Sequence, residues 1–223
     1  MGCEMNVYEF GNPCAQIILI QPVDDHELSF IENEIKAIRK LSEKDFQFIA
    51  VKIENWNYDL SPWKSPAVFG KEGFGDGADK TLEEIIKICT QPDKTYIIGG
   101  YSLAALFSIW AAYHTDIFTA VAAASPSLWF PGFIDFMENN EIRSGTVYLS
   151  LGNKEAKIKN PVMATVAVNA RKAYELLKAK GVNTTFEWNQ GNHFKDVDIR
   201  TAKAFAWALE IKGDYHGYES VEN

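Results

Sequence analysis

Ser102 lies in the stretch "IIGGYSLAAL", residues 97–106, where a run of β-type residues gives way to a helical pattern. A serine hydroxyl is a weak nucleophile at neutral pH and reacts only when a base takes its proton. The spacing is close to G-x-S-x-G, the sharp turn that lifts a serine above a strand end and holds its backbone in sparsely populated space. Gly100 fills the first small position and Ala104 the second, so the pattern departs by one methyl group. In that frame Leu103 opens the helix, and its backbone N–H would be one donor to an oxyanion. Without the strand and the helix, Ser102 would read as an ordinary serine in a glycine-rich turn.

Four histidines could supply the base. His193, in "NQGNHFKD", follows the last strand pattern, and loops at the carboxyl ends of parallel strands converge on one crevice. His26, in "QPVDDHEL", opens onto the same face and stands second. His114 ends a helical pattern, where capping is its expected duty, and His216 lies in the C-terminal stretch "KGDYHGYESVEN". An acid must orient the imidazole and stabilise its charged form. Glu155 is the only carboxylate in "GNKEAKIKNP"; Lys154, Lys157 and Lys159 around it make a surface ion cluster the bland alternative. Asp135 competes as the acid, while Asp196 and Asp198 are expected to be solvated or to cap the last helix. The second oxyanion donor is expected after "QIILIQ"; Pro22 has no N–H, which leaves Val23, with Asp24 behind it. A substrate pocket would draw on Tyr101, Trp129, Phe130 and the aromatics of residues 54–80, Trp56 and Trp63 among them. Such a wall favours an apolar or aromatic acyl group, or a planar alcohol.

These residues need a scaffold, and the apolar runs supply one. Strand patterns fall at 6–10, 15–20, 46–53, 95–99, 118–124, 146–151 and 184–188. Several are nearly continuous β-branched or aromatic runs, as in a sheet covered on both faces. Between them lie helical patterns: "ELSFIENEIKAIRKL", "TLEEIIKIC", "LAALFSIWAAYH", "MATVAVNARKAYELLKAK" and "IRTAKAFAWALEI". Thr81 with Glu84 has the spacing of a capping box, and Gly181 is placed to close the 162–180 helix. The alternation implies an α/β class with a mostly parallel central sheet and helices on both faces. Residues 54–80 show no period yet carry five aromatics. A long aperiodic connection of that composition reads as a pocket wall or lid, the alternative being a loop that merely covers a sheet edge.

At 223 residues the chain has room for a large core and is read as one domain, 1–223, with residues 213–223 as a flexible tail. The net charge of −8 argues against a nucleic-acid surface or an anionic membrane and leaves neutral or cationic small substrates open. No apolar run is long enough for a membrane span, and the N-terminus lacks the features of a signal peptide. "MGCEMN" begins like a myristoylation site, but Asn6 stands where Ser or Thr is needed. Cys3, Cys14 and Cys89 show no CxxC spacing, which fits a reduced, cytoplasmic chain. With no G-x-G-x-x-G, Walker or HExxH pattern, neither a cofactor nor a metal is expected.

"GGYSLAALFSIWA", "SPSLWFPGF" (125–133), "SLGNKE" (150–155), "GNHF" (191–194) and "WNYDLSPW" (56–63) together resemble the esterase D-like branch of the α/β-hydrolase superfamily, which includes siderophore esterases. The resemblance implies the α/β-hydrolase fold, and the central insertion is too short for a large cap domain. It also implies a serine esterase cleaving a small carboxylic ester or thioester through an acyl-enzyme, with Ser102, His193 and Glu155 in the three roles. Ala104 and Asn192 depart from that branch's usual glycines, and neither removes a reacting group. A non-catalytic ligand-binding protein on the same scaffold, or an acyltransferase, is the alternative.

Overall fold

The computed structural model describes residues 5–210. The myristoylation-like start, His216 and the expected tail therefore fall wholly or largely outside the described residues. Seven strands form one sheet: β1 Val7–Gly11, β2 Ile17–Val23, β3 Phe46–Lys52, β4 Thr95–Tyr101, β5 Phe118–Ala124, β6 Thr146–Gly152 and β7 Asn183–Asn189. Their order is β1-β3-β2-β4-β5-β6-β7, with only β1 antiparallel to its neighbour. The helices are α1 Asp25–Leu41, α2 Trp56–Asp59, α3 Ala78–Ile86, α4 Ser102–His114, α5 Phe133–Asn139, α6 Val166–Ala179 and α7 Val197–Leu209.

The strands split their side chains between two cores because alternate residues face opposite sides of a sheet. On one face, Leu19, Phe48 and Ala122 pack with Ile35 and Ile38 of α1 and Phe205 of α7. On the other, Ile20, Ile98 and Leu149 pack with α3, α4 and α6 through Ile85, Phe107 and Leu177. Helix α4 lies deepest: Leu103 through Tyr113 are all buried, as suits a helix that is apolar all round. Among the described residues no helix is long and apolar enough to cross a membrane.

Two boundaries differ from expectation for physical reasons. Strand β2 runs through Gln21 and Pro22 to Val23 because β3 pairs with it that far, although β4 pairs with it only as far as Ile20. Beyond that point Pro22 lies in a one-sided ladder, where a missing N–H is tolerated. Thr81 does not cap α3: the helix begins at Ala78, and the Thr81 hydroxyl instead donates to the Asp59 carbonyl at 2.7 Å. The capping box occurs at α1, where Asp24 accepts from Glu27 N and the Glu27 side chain accepts from Asp24 N. Gly181 follows α6 with φ +77, the left-handed closure expected of it.

The chain leaves β2 for β3 on one side and enters β4 on the other, so the order reverses between β2 and β4. In open α/β sheets ligands bind outside the carboxyl ends of strands at such a switch point. Ser102 follows β4 directly.

Candidate active site

Strand β4 ends in Gly99, Gly100 and Tyr101, and the chain turns at once into α4. Ser102 takes φ +56 at that turn. A Cβ on Gly100 would come within 2.8 Å of the Ala104 methyl, so the bare glycine is what makes room for alanine at the second small position. Leu103 is in the first turn of α4, where a backbone N–H has no acceptor within the helix.

The loops after β6 and β7 bring the other two groups to the serine. His193 Nε2 stands 2.9 Å from Ser102 Oγ, and His193 Nδ1 stands 2.7 Å from Glu155 Oε2. With Nδ1 protonated and donating to the carboxylate, Nε2 is free to accept the serine proton. The Glu155 side chain is only 3% exposed, and none of the neighbouring lysines pairs with it. A surface ion cluster does not describe this residue. Its Oε1 accepts from Gly152 N (2.6 Å), Ser125 Oγ (2.9 Å) and Arg200 Nη1 (3.0 Å). Gly152 must be bare, since a Cβ there would lie 2.7 Å from that same oxygen.

Arg200 escaped the sequence reading. It is 2% exposed and also donates to the Tyr101 hydroxyl (2.9 Å) and the Gln190 carbonyl (2.9 Å). Tyr101 OH in turn donates to the His193 carbonyl at 2.7 Å, so one hydrogen-bonded unit ties the serine turn, the histidine loop and the acid together. Burial pushes the Tyr101 phenol up to about 12, and Glu155 adds to that rise, so it remains a donor across the neutral range. Ser127 was also missed; its Oγ is 3.1 Å from Ser102 Oγ. The three described non-glycine residues with positive φ are Ser102, Ser125 and Asp196. The first two belong to this unit, and the third follows it on the histidine loop. Strain of this kind persists where surrounding contacts over-determine the backbone.

A cavity of about 200 Å³ opens beside Ser102, lined by Ser102, Leu103, Ser127, His193 and a wall of Trp56, Asn57, Phe69, Phe74, Trp129, Met163 and Phe194. Residues 54–80 thus contribute to the pocket from two places, around α2 and around the Ser65–Phe74 bridge. A larger hollow of about 390 Å³ beside Tyr58 and Lys64 holds no nucleophile paired with a base, so size does not choose the site.

Several expected residues lie elsewhere. Tyr101 turns to the opposite core and supports the site from beneath. Phe130 is 2% exposed and packs on Trp63 and Phe74 rather than on the cavity. Trp63 anchors the 54–80 segment, stacking on Phe133 and donating its Nε1–H to the Pro131 carbonyl at 3.0 Å. Val23 does not line the cavity; its side chain is in the α1 core and its carbonyl accepts from Ile53 N. Asp24 caps α1. Asp135 is exposed on the first turn of α5, and Asp196 precedes α7 without a side-chain cap. His114 packs on Trp110 and Phe136 at the end of α4. His26 lines a separate groove.

No protein-family model and no curated protein matches the chain. Solved structures do. An IroE-like serine hydrolase from Shewanella oneidensis superimposes with a TM-score of 0.72 at 15% identity, covering 91% of this chain and 74% of that one. The siderophore hydrolase EstA from Aspergillus nidulans gives 0.62 at 15% identity, with coverage of 92% and 94%. A Bacillus cereus carboxylesterase gives 0.59 at 12% identity, again over 92% and 94%. The fold is that of the α/β-hydrolases. Identities this low carry the architecture alone, so the chemistry rests on the side chains of this chain.

Proposed function

We propose that the protein is a serine esterase acting on a small carboxylic ester or thioester through an acyl-enzyme. The observation that carries this is the unbroken chain of contacts from Ser102 Oγ through His193 to Glu155, at 2.9 Å and 2.7 Å. Ser102 Oγ attacks the carbonyl carbon while its proton passes to His193 Nε2. The tetrahedral oxyanion is held by Leu103 N–H, with the Asn57 side-chain amide on the same cavity able to donate a second bond. Collapse breaks the bond to the leaving group, which takes the proton from His193. Water then attacks the acyl-enzyme, gives a proton to His193 and restores Ser102. Glu155 holds the ring in place throughout, and Ser125, Gly152 and Arg200 hold Glu155.

The cavity sets the acyl group. At about 200 Å³ it falls below the roughly 300–1,000 Å³ usual for drug-sized ligands, and its wall is almost wholly aromatic or aliphatic. A short apolar acyl group, or a single ring, fits that volume. The names of the neighbouring structures, two of them hydrolases and one a carboxylesterase, point the same way. On this reading the chain acts as one domain, with the 54–80 segment as a wall of the pocket.

The test is intact mass after exposure to a fluorophosphonate, with turnover of p-nitrophenyl acetate and butyrate alongside. A single adduct on wild type that disappears in Ser102→Ala, together with turnover, is the expected result. A folded wild type that forms no adduct and turns over neither ester overturns the reading in favour of a binding protein.

A further inference from the structure

Beyond Phe194 the surface changes character. Phe194 is 84% exposed, packs edge-on against the His193 ring at 5.4 Å, and lines both the apolar cavity and a neighbouring groove of about 400 Å³. That groove runs between α1 and the start of α7. It is lined by four acidic side chains, Glu27, Glu34, Asp196 and Asp198, with the faces of Phe30 and Phe194, and by no lysine or arginine. Lys195 is not part of the lining but stands 3.9 Å from Asp196, and His26, packed on Phe30, lines the groove with the acids.

The floor of the groove is chemically incomplete. Glu34 is 5% exposed, yet its Oε1 has no hydrogen-bond partner; its Oε2 has one long contact, from Gln21 Nε2 at 3.4 Å. Gln21 Oε1, at 1% exposure, is also unpartnered. Two buried polar oxygens without partners are costly, and a donor reaching them from the groove would lower that cost. Burial raises the Glu34 carboxyl well above its ordinary value, with Glu27 and Asp198 adding to the rise; burial likewise raises Glu27, to about 8. A cation in the groove would oppose that rise, because a nearby positive charge favours the ionised carboxylates. Among the described residues no three carboxyl, imidazole or thiol groups converge as metal ligands, so the geometry suits an organic cation. A protonated primary amine or a guanidinium supplies both the charge and the N–H donors, and Phe30 and Phe194 offer faces to it.

We infer that this groove receives a cationic group carried by the leaving alcohol of the substrate, a protonated amine or guanidinium at the far end of a short alkyl chain. The inference rests on the esterase reading above. The placement follows from the chemistry: the leaving group must take its proton from His193 Nε2, so it departs along the histidine, and Phe194 and the groove come next. The acyl group then occupies the apolar cavity and the cation the acidic groove, with Phe194 between them.

The experiment compares butyrate esters of ω-amino alcohols of increasing length with alkyl butyrates of equal length. One well-placed charged hydrogen bond should raise kcat/KM for the best amino ester about tenfold or more over its neutral partner. In Glu34→Gln and in Asp198→Asn, each tested alone, that ratio should fall toward one. A ratio near one in wild type at every chain length, with the neutral ester turned over, overturns the inference and leaves the esterase reading intact. A ratio above one that neither variant changes also overturns it, since structural damage would slow both esters alike. If neither ester is turned over by folded protein, the esterase reading fails and the inference falls with it.

Discussion

Glu155 and Glu34 are both buried carboxyl groups, and the protein treats them in opposite ways. Glu155 has a donor at Oε2 from His193 and three at Oε1, one of them the guanidinium of Arg200. Glu34 has a single long contact and one orphaned oxygen. Burial costs a carboxylate several kcal/mol unless hydrogen bonds and an opposite charge replace the lost water. Around Glu155 they do so, and the group is fixed to a single position. Around Glu34 they do not, and the carboxyl is pushed well up instead. A satisfied buried acid serves as a rigid part of a reacting unit, whereas an unsatisfied one is left waiting for a partner.

The comparison breaks most visibly at Glu155. Glu155→Gln keeps the shape but presents the wrong group to His193 Nδ1, and turnover of p-nitrophenyl butyrate should fall about 10⁴-fold in kcat. A loss of less than tenfold would mean that Glu155 only packs. Removing the counter-charge tests the other half. Arg200→Leu leaves Glu155 buried without its cation and should cost about 3–5 kcal/mol in a urea titration. Combining it with Glu155→Gln should recover part of that loss, because the two sites are coupled. Simple additivity would show that Arg200 packs independently of the acid.

Tyr101→Phe removes the hydroxyl that joins Arg200 to the His193 carbonyl and should cost about 1–3 kcal/mol of stability. The smallest effect should carry the opposite sign. Glu27 and Glu34 hold their protons more tightly folded than unfolded, so the stability they contribute is complete below their ordinary value near 4.5 and is lost as pH rises, through about 8 for Glu27. Glu34→Gln should therefore unfold at a higher temperature than wild type at pH 8, with the gap closing toward pH 4. A gap that stays constant with pH would mean that Glu34 is not held protonated.

Much of this was legible beforehand because it is written locally. The seven strand patterns, the turn at Ser102 and the positions of His193 and Glu155 beyond strand ends all follow from periodicity and from short-range spacing. The helix pattern over "ELSFIENEIKAIRKL" was equally clear, but its capping box starts three residues earlier, with Asp24 as the cap and Glu27 as its partner. Thr81 and Glu84 have capping-box spacing too, and tertiary contact with α2 decided against them. The pocket aromatics were sorted only in part. Composition marks Trp56, Trp63, Trp129 and Phe130 as apolar, but it cannot say which of them face a cavity and which pin a loop to α5.

The sequence alone determined the alternation of elements, and so the parallel sheet whose loops converge beyond Ser102. Arg200 shows what it could not determine. Within "IRTAKAFAWALEI" it looks like any charge on a helix, because its partners Tyr101 and Glu155 lie 99 and 45 residues away in the chain. Only the packing of α7 against the sheet removes it from water and commits it to a carboxylate. The same packing, of α7 beside α1, decides that Glu34 is enclosed without a donor. Periodicity records which face of an element is apolar; whether a charge on it meets its complement is settled where distant elements touch.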